Sequence, residues 1–476
     1  MIISYDYKLN PSNNQSALMS DWLNMLRGLY NFGLRERIEA YEQVKYPMLG
    51  NYCRLDNRAE CCPLTCSLSK SALHGEPWKL DKDGKGKKRS AFEMQCVTLP
   101  QLKIARPWYK QINAQVIQQT LRQLDTAFQN FFKHGRGYPK PKRRSHFRSF
   151  SYPPGAGVKI KGNRIYLPGT GWMRFFLSRQ IPDGFSIRTV TVRRKSDGWY
   201  ISVRLEDKNV PLPPTKTSPD VATALGADVG IRKLVALSSG ETIQNPRFSK
   251  RVEKRRRRLH RAASRQKKGS KNRQKSYQQI GRLEQRVENQ RNDYQWKVAN
   301  RLVRQADCIV FEDLNIRGMT ARCKPKVDPE TGRYLHNGQA AKAGLNRAIL
   351  DASWYGLKQK VKAVAAKSGA IVLDVPPRHS SQECRECGYI SPTNRDKEKF
   401  LCESCGHYED ADIQASRVLL ARGLKELGIE QLCGVPAKVT PKPEVTGCKE
   451  ISPALVGEPG NPRQLTLFDL TEWRGA

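Results

Sequence analysis

Acid is what this sequence has too little of. Asp and Glu number 45 against 84 Lys and Arg, giving a formal net charge of +39 and a pI near 9.9. A compact chain so short of counter-charge repels itself unless a polyanion neutralises it. Nucleic acid is therefore the expected partner, with an anionic membrane surface as the competing one. Long apolar runs are also missing. No stretch approaches the ~20 apolar residues needed to span a bilayer, and no signal peptide opens the chain, so neither a membrane-spanning nor an exported protein is expected. The cysteines lack the pairing of a disulfide framework: there are 13, an odd number, and about half fall in knuckle-like clusters, which fits a reducing cytosol. At 476 residues the chain has room for two to four domains.

The densest signal lies between Ser380 and Leu420. Cys384 and Cys387 form one C-x-x-C, Cys402 and Cys405 a second, with turn formers and the apolar pair Phe400-Leu401 between them. Four thiolates on two knuckles match the tetrahedral preference of zinc and leave no open position for chemistry, so the metal is expected to be a structural staple. His407 reads as polar surface. What is stapled is Asp410-Ala411-Asp412, the opening of a helix with Ile413, Leu420, Leu424 and Leu427 on one face.

The remaining chain, taken in order, starts with a strand over Ile2–Leu9. A helix opening at Pro11-Ser12 carries Leu18, Trp22, Leu26, Leu29 and Tyr30. The region from about 46 to 105 shows no clear period. Its Cys53, Cys61, Cys62 and Cys66 are spaced for no standard knuckle, and a second metal there is the weaker alternative. From Lys110 the spacing of Val116, Ile117, Leu121, Leu124, Phe128 and Phe131 predicts a helix ended by Gly135 and Gly137. Residues 138 to 207 alternate over Val158–Ile160, Arg164–Leu167, Ser186–Val192 and Trp199–Leu205, predicting a small antiparallel barrel or sheet. Arg143, Arg144, Arg148, Arg193, Arg194 and Lys195 decorate it and are read as phosphate contacts. A Pro- and Thr-rich linker follows at 210–223. Next come a strand carrying Asp228, a tight turn and a second strand. Arg247 to Lys275 then holds fifteen basic residues against Glu253 alone, read as a helix pair along a nucleic-acid backbone, with Arg255, Arg256, Arg257, Arg258, Arg261, Lys267 and Lys268 as contacts. Cys308–Glu312 is a buried-type strand. A polar loop (320–344), a helix from about Leu345 to Lys367 and a strand over Ala370–Val375 lead into the zinc ribbon. The Pro- and Gly-punctuated residues 429–476 read as a mostly disordered tail.

Singly, Asp228, Glu312 and Asp412 would pass for caps or turn residues. Together they lie on a first strand, at the end of a later strand and at a helix start, and can converge on one edge of a mixed sheet. Carboxylate oxygens without a histidine pair suit magnesium, and two such ions can clamp the attacking and leaving oxygens of a phosphodiester.

The stretches GADVGIRKLVALSSG, IVFEDLNIRGM, SSQECRECG with LCESCGH, and DADIQASRVLL resemble the split RuvC nuclease and zinc module of the TnpB (OrfB) family, encoded by bacterial insertion sequences and related to type V CRISPR effectors. PQLKIARPWYKQINAQVIQQTLRQLDTAFQNFF is similar to that family's helical segment. The resemblance covers most of residues 1 to 428, with Gln414 and Ser416 standing where the family usually has Asn and Ala. It implies a multidomain α/β and all-β protein: a wedge β-barrel (1–10 and 134–209), a helical recognition domain (11–133), and an RNase H-like RuvC domain (224–380 and 408–428) with a mixed sheet. That domain is interrupted by a four-cysteine zinc ribbon (381–407) that binds target nucleic acid. It further implies a magnesium-dependent, RNA-guided DNA endonuclease with Asp228, Glu312 and Asp412 as catalytic acids. Two magnesium ions (manganese being an alternative), one zinc and a guide RNA from the transposon end would be its cofactors. Double-stranded DNA beside a short adjacent motif would be its target. The expected setting is the bacterial cytoplasm at the nucleoid, and the expected state a monomer. A cleavage-inactive RNA-guided repressor and an accessory transposase protein are the alternatives.

Overall fold

The structure, a computed structural model, describes residues 1–45, 78–80, 86–217 and 223–429. Cys53, Cys61, Cys62, Cys66 and nearly all of the expected tail lie outside them. The chain divides into two compact units, Met1–Val210 and Pro211–Ala476.

In the first unit, β1 (Ile2–Asn10) leads into α1 (Asn13–Lys45). β2 (Trp78–Leu80) pairs antiparallel with β3 (Gly86–Lys88). Two short helices, α2 (Ala91–Val97) and α3 (Leu99–Ala105), occupy ground where the sequence shows no period. Each is too short to display one, but Ser90 and Glu93 close a capping box on α2, and Leu99 and Leu102 of α3 are buried. α4 (Ala114–His134) is bounded by Asn113, whose side chain accepts from the Gln115 amide, and by Gly135 in the left-handed region at φ 58°. Only glycine adopts that backbone without strain, which is why the helix stops there.

Six strands follow: β4 (Ser149–Tyr152), β5 (Lys159–Lys161), β6 (Arg164–Leu167), β7 (Gly171–Phe175), β8 (Ser186–Lys195) and β9 (Gly198–Glu206). With β1 they make a seven-stranded antiparallel sheet in the order β4-β8-β9-β1-β7-β6-β5. The pairing is that of an open sheet with β4 and β5 at its ends. β4 and β7 escape the sequence pattern because Pro and Gly crowd both. One side of the sheet and the helices share a single core, in which Tyr7, Trp22, Leu26, Ile117, Leu124, Phe150, Val192 and Ile201 are buried. Each such large side chain contributes roughly 1.5–3 kcal/mol by leaving water.

The second unit is built on β10 (Ala224–Val229), β11 (Lys233–Leu237), β12 (Thr242–Gln244), β13 (Cys308–Glu312) and β16 (Ile371–Val375), in the order β12-β11-β10-β13-β16. β10, β13 and β16 are mutually parallel, and β11 and β12 antiparallel, so the sheet is mixed. Between β12 and β13 run α5 (Phe248–Arg251), α6 (Glu253–Arg265) and the 35-residue α7 (Lys271–Gln305). Between β13 and β16 come α8 (Ile316–Met319), a small hairpin of β14 (Lys326–Val327) and β15 (Tyr334–Leu335), then α9 (Gln339–Ala352) and α10 (Trp354–Ser368). The single helix expected from Leu345 is thus two. α9 begins inside the expected loop, and the break falls at Ser353, whose φ of 54° lies outside helical space. The ribbon's β17 (Arg395–Asp396), β18 (Lys399–Leu401) and β19 (Tyr408–Asp410) precede α11 (Ala411–Glu426).

Both faces of this sheet are covered. Val298, Ala299 and Leu302 of α7, with Trp354, Leu357 and Val361 of α10, pack on one side. Leu419, Leu420 and Leu424 of α11 pack on Cys308, Val310 and Val375 on the other. Ile413, expected on that buried face, is half-buried. α11 comes so near that a Cβ on Gly226 would lie 1.8 Å from the Ser416 carbonyl oxygen, and one on Gly423 would lie 2.4 Å from Val310. The helix therefore rests on bare backbone at Gly226. Among the described residues, no helix is long and apolar enough to cross a membrane.

Candidate active site and metal centre

Asp228 is the last residue but one of β10, and Glu312 ends its parallel neighbour β13. Carboxylates at the carboxyl ends of adjacent parallel strands emerge at the same rim of the sheet. Asp412 reaches that rim from the first turn of α11, the helix seated across β10 and β13. The three share one electrostatic neighbourhood. Burial, and then the charges of Glu312 and Asp412, push the Asp228 carboxyl up to about 7, although Arg395 opposes the rise. Burial also raises Glu312, against a hydrogen bond from the Ser380 hydroxyl and the charges of Arg422 and Arg395.

Cations hold the third acid. Arg395 Nη2 lies 2.8 Å from Asp412 Oδ1, and Lys233 Nζ lies 3.9 Å from Oδ2. Lys233 sits closer to Asp410, at 2.7 Å. Asp410 is the N-cap of α11, its Oδ1 accepting from the amides of Asp412 and Ile413. Burial alone would raise Asp410, but the Lys233 ammonium and the two amides outweigh it and hold the carboxyl below its ordinary value. The two aspartates thus share Lys233, while Arg395 pairs with Asp412, and Ala411 between them is fully buried.

The ribbon is two copies of one turn. The Gly388 amide donates to the Cys384 carbonyl and the Gly406 amide to the Cys402 carbonyl, and both glycines have φ 71°. The four thiols lie within 4.8 Å of one another, with Cys384–Cys405 sulfurs 3.7 Å apart and Cys387–Cys402 sulfurs 3.5 Å apart. Tetrahedral zinc with bonds of ~2.3 Å sets its sulfurs about 3.8 Å apart, so the donor set fits zinc. Among the described residues these thiols are the one group of three or more His, Cys, Asp or Glu ligand atoms gathered this closely. The carboxylates at the rim are more loosely grouped. As an all-oxygen donor set whose mutual repulsion a cation would relieve, they have the chemistry for magnesium.

A family profile described as a probable transposase matches residues 200–322, one described as a Cas12f1-like TNB domain matches 354–419, and one described as a helix-turn-helix domain matches 1–45. The last stretch holds β1 and the single helix α1. The Escherichia coli K12 protein named "Putative RNA-guided DNA endonuclease InsQ" is 35% identical over 338 residues, 70% of this chain and 81% of its own. A Streptomyces pristinaespiralis protein, "Putative RNA-guided DNA endonuclease", is 30% identical over 430 residues, 88% of this chain and 89% of its own. The chain belongs to the TnpB (OrfB) family. Among solved structures it is similar, at TM-score 0.42 and 13% identity, to a protein chain in the cryo-EM structure of the Cas12f1–sgRNA–target DNA complex, covering 88% of this chain and 98% of that one.

The two residues that depart from the usual TnpB pattern are both buried. Gln414 donates from Nε2 to the Glu383 carbonyl at 3.0 Å and faces His407 Nε2 at 3.3 Å, tying α11 to both knuckles. His407, which also stands 3.7 Å from Glu409, is therefore a joint within the ribbon and not mere surface. Ser416 turns its hydroxyl back to the Ile413 carbonyl, which keeps it compatible with the close approach to Gly226. Lys233, Ser380 and Arg395 went unnoticed in the sequence. Lys233 and Ser380 lie inside motif stretches and Arg395 between the two cysteine pairs, but side chains that meet across elements leave no periodic trace. Of the basic contacts, Arg255, Arg257, Arg258 and Arg261 are exposed on α6 and Lys267 and Lys268 in the turn after it, whereas Arg256 is half-buried against Ser249 and 3.5 Å from Glu284. Arg257 is paired with Glu253. In the first unit, Arg143, Arg144 and Arg148 are exposed just before β4.

Proposed function

We propose that this protein is an RNA-guided DNA endonuclease of an insertion sequence, cutting double-stranded DNA beside a short adjacent motif by metal-assisted phosphodiester hydrolysis. The observation that carries the reading is the meeting of Asp228, Glu312 and Asp412, from two parallel strand ends and a helix start, in one charge neighbourhood. The family and the names of its relatives supply the class of substrate and guide.

In this reading residues 224–380 and 408–428 form a RuvC-like domain, 381–407 a target-binding ribbon, 1–10 and 134–209 a wedge, and 11–133 a recognition domain. Asp228, Glu312 and Asp412 would hold two magnesium ions, which would supply an activated water and charge stabilisation of the leaving oxygen. Arg395 and Lys233 keep the Asp412 carboxylate oriented until then, and Ser380 does so for Glu312. Zinc on Cys384, Cys387, Cys402 and Cys405 fixes β19 and hence the start of α11. Arg255, Arg258, Arg261, Lys267, Lys268, Arg143, Arg144 and Arg148 meet phosphates of the guide or target.

Two neighbouring substitutions test it. Asp412→Asn should retain copurifying RNA and target binding and reduce plasmid cleavage in magnesium by more than about 1000-fold, because an amide offers the cation only a dipole. Asp410→Asn keeps the cap, since Asn caps about as well as Asp, and should cut within roughly threefold of the parent. The opposite result would move the third acid by two residues. Cleavage that persists after the copurifying RNA is removed would overturn the RNA-guided reading.

A further inference from the structure

No Asp or Glu occurs between Asp125 and Asp183, and the strands inside that interval face solvent on one side. Their register sorts the outward residues into rows. Lys161 lies opposite Arg164, and Arg164 opposite Arg174, so three cations stand in line across β5, β6 and β7. The next row, two residues along, is Lys159, Tyr166 and Trp172. Tyr166 and Trp172 touch with ring centroids 5.6 Å apart and leave the indole 46% exposed. Phe176, two residues past Arg174 on the other side of the cation row, donates its amide to the Lys8 carbonyl and is 53% exposed.

A merely solvated face does not account for this order. Like charges directly opposite one another across strands are destabilising, and among the described residues Lys159, Lys161, Arg164 and Arg174 make no ion pair. An exposed tryptophan adds an apolar cost in the same patch. Both are relieved by one kind of ligand, an anionic chain that also carries flat apolar rings. The rows are about 7 Å apart along the strands. A nucleotide stacked on Trp172 can therefore leave its phosphate over Arg174 and Arg164. Such stacking requires an unpaired base, because a duplex hides its ring faces and offers only its backbone.

We propose that the outer face of β5–β7 is a platform for unpaired nucleotides of the guide RNA, with Trp172 as the stacking surface, Tyr166 as its support, and Lys161, Arg164 and Arg174 as phosphate contacts. The choice of RNA rests on the RNA-guided reading: the guide is the strand present before a double-stranded target is opened.

The test uses the full chain freed of copurified nucleic acid, with short single-stranded RNA carrying 4-thiouridine, DNA of the same sequence, and the RNA duplex. Irradiation should place an RNA adduct on the tryptic peptide Ile165–Arg174. Trp172→Ala should weaken single-stranded RNA binding roughly ten-fold, the scale of one lost base–aromatic stack, and duplex binding by less than about twofold. Trp172→Phe should restore affinity to within about threefold at an unchanged Tm. Adducts only on other peptides, or equal losses for single strand and duplex, overturn the platform. Equal binding and cross-linking of the DNA overturns the assignment to guide RNA. Because no cleavage is scored, a protein that cross-links here yet never cuts would refute the endonuclease reading alone.

Discussion

The two large sheets solve the same problem differently. In the first unit, one side of the antiparallel sheet is core and the other meets solvent, so alternate residues of every strand are free to carry charge and rings. In the second unit, helices cover both sides, and Leu225, Ala227, Val310 and Phe311 are all buried regardless of parity. A sheet closed on both faces can present chemistry only where its strands end. That is where Asp228 and Glu312 stand, while Tyr166 and Trp172 lie within their strands on the open face. The proposed nucleotide platform lies on the face of one sheet, and the proposed acid site on the rim of the other.

Substitutions can break this contrast. Away from the acids, the largest effect is expected at the ribbon: Cys402→Ser should release the zinc, measured as metal per chain, and lower cleavage by more than about ten-fold, though it touches no substrate. Full activity without zinc would mean the rim keeps its third acid unaided. Gly226→Ala, a mid-strand change on the covered sheet, should cost about 2–3 kcal/mol in denaturant unfolding, because α11 must lift from Ser416. Arg164→Ala, on the open face at the first residue of β6, should stay within about 0.5 kcal/mol. Equal costs would erase the distinction.

The rim also predicts a pH dependence. The folded Asp228 carboxyl titrates at about 7 and an unfolded one near ~3.9, so the native state holds the extra proton between them and stability falls as pH rises through that window. In chelator at pH 8, Asp228→Asn should therefore raise Tm by several degrees and at pH 4 change it little; no gain at pH 8 would place Asp228 outside a repulsive cluster. The smallest effect concerns α6. Arg256 and Arg257 already have acidic partners, so replacing Arg255 through Arg258 with Ala should reduce the salt slope of nucleic-acid binding by roughly 2, not by the ~3.6 of four free cations.

Much of the second unit was legible because its signals are local: a strand with Asp228, a strand with Glu312, a paired knuckle and a capped helix. The same locality explains what was missed. The break at Ser353 lies inside an uninterrupted helical pattern, from Leu345 to Lys367, and only its φ of 54° reveals it. Arg395 and Lys233 meet Asp412 through three-dimensional contact alone. Gln414 reads as a departure from the family pattern, yet its longer side chain spans to Glu383 and His407. On the first sheet the alternation was visible for β5, β6, β8 and β9 but not for β7, and the alignment of Lys161, Arg164 and Arg174 exists only once register is set.

β1 occupies the middle of its sheet, paired with β9 along Ile2–Leu9 and with β7 at Leu9 and Asn10. On a ribosome adding ~5–20 residues per second, these first residues wait roughly 10–40 s for Gly198–Glu206 to appear. Throughout that interval Met19, Trp22 and Leu26 of α1, which end wholly buried, have no complete sheet to dock on. Closure of the first unit is thus a late, long-range event in synthesis, and non-local pairing of this kind is intrinsically slow. The nascent chain is most exposed to aggregation, and most in need of a chaperone, before its two hundredth residue emerges.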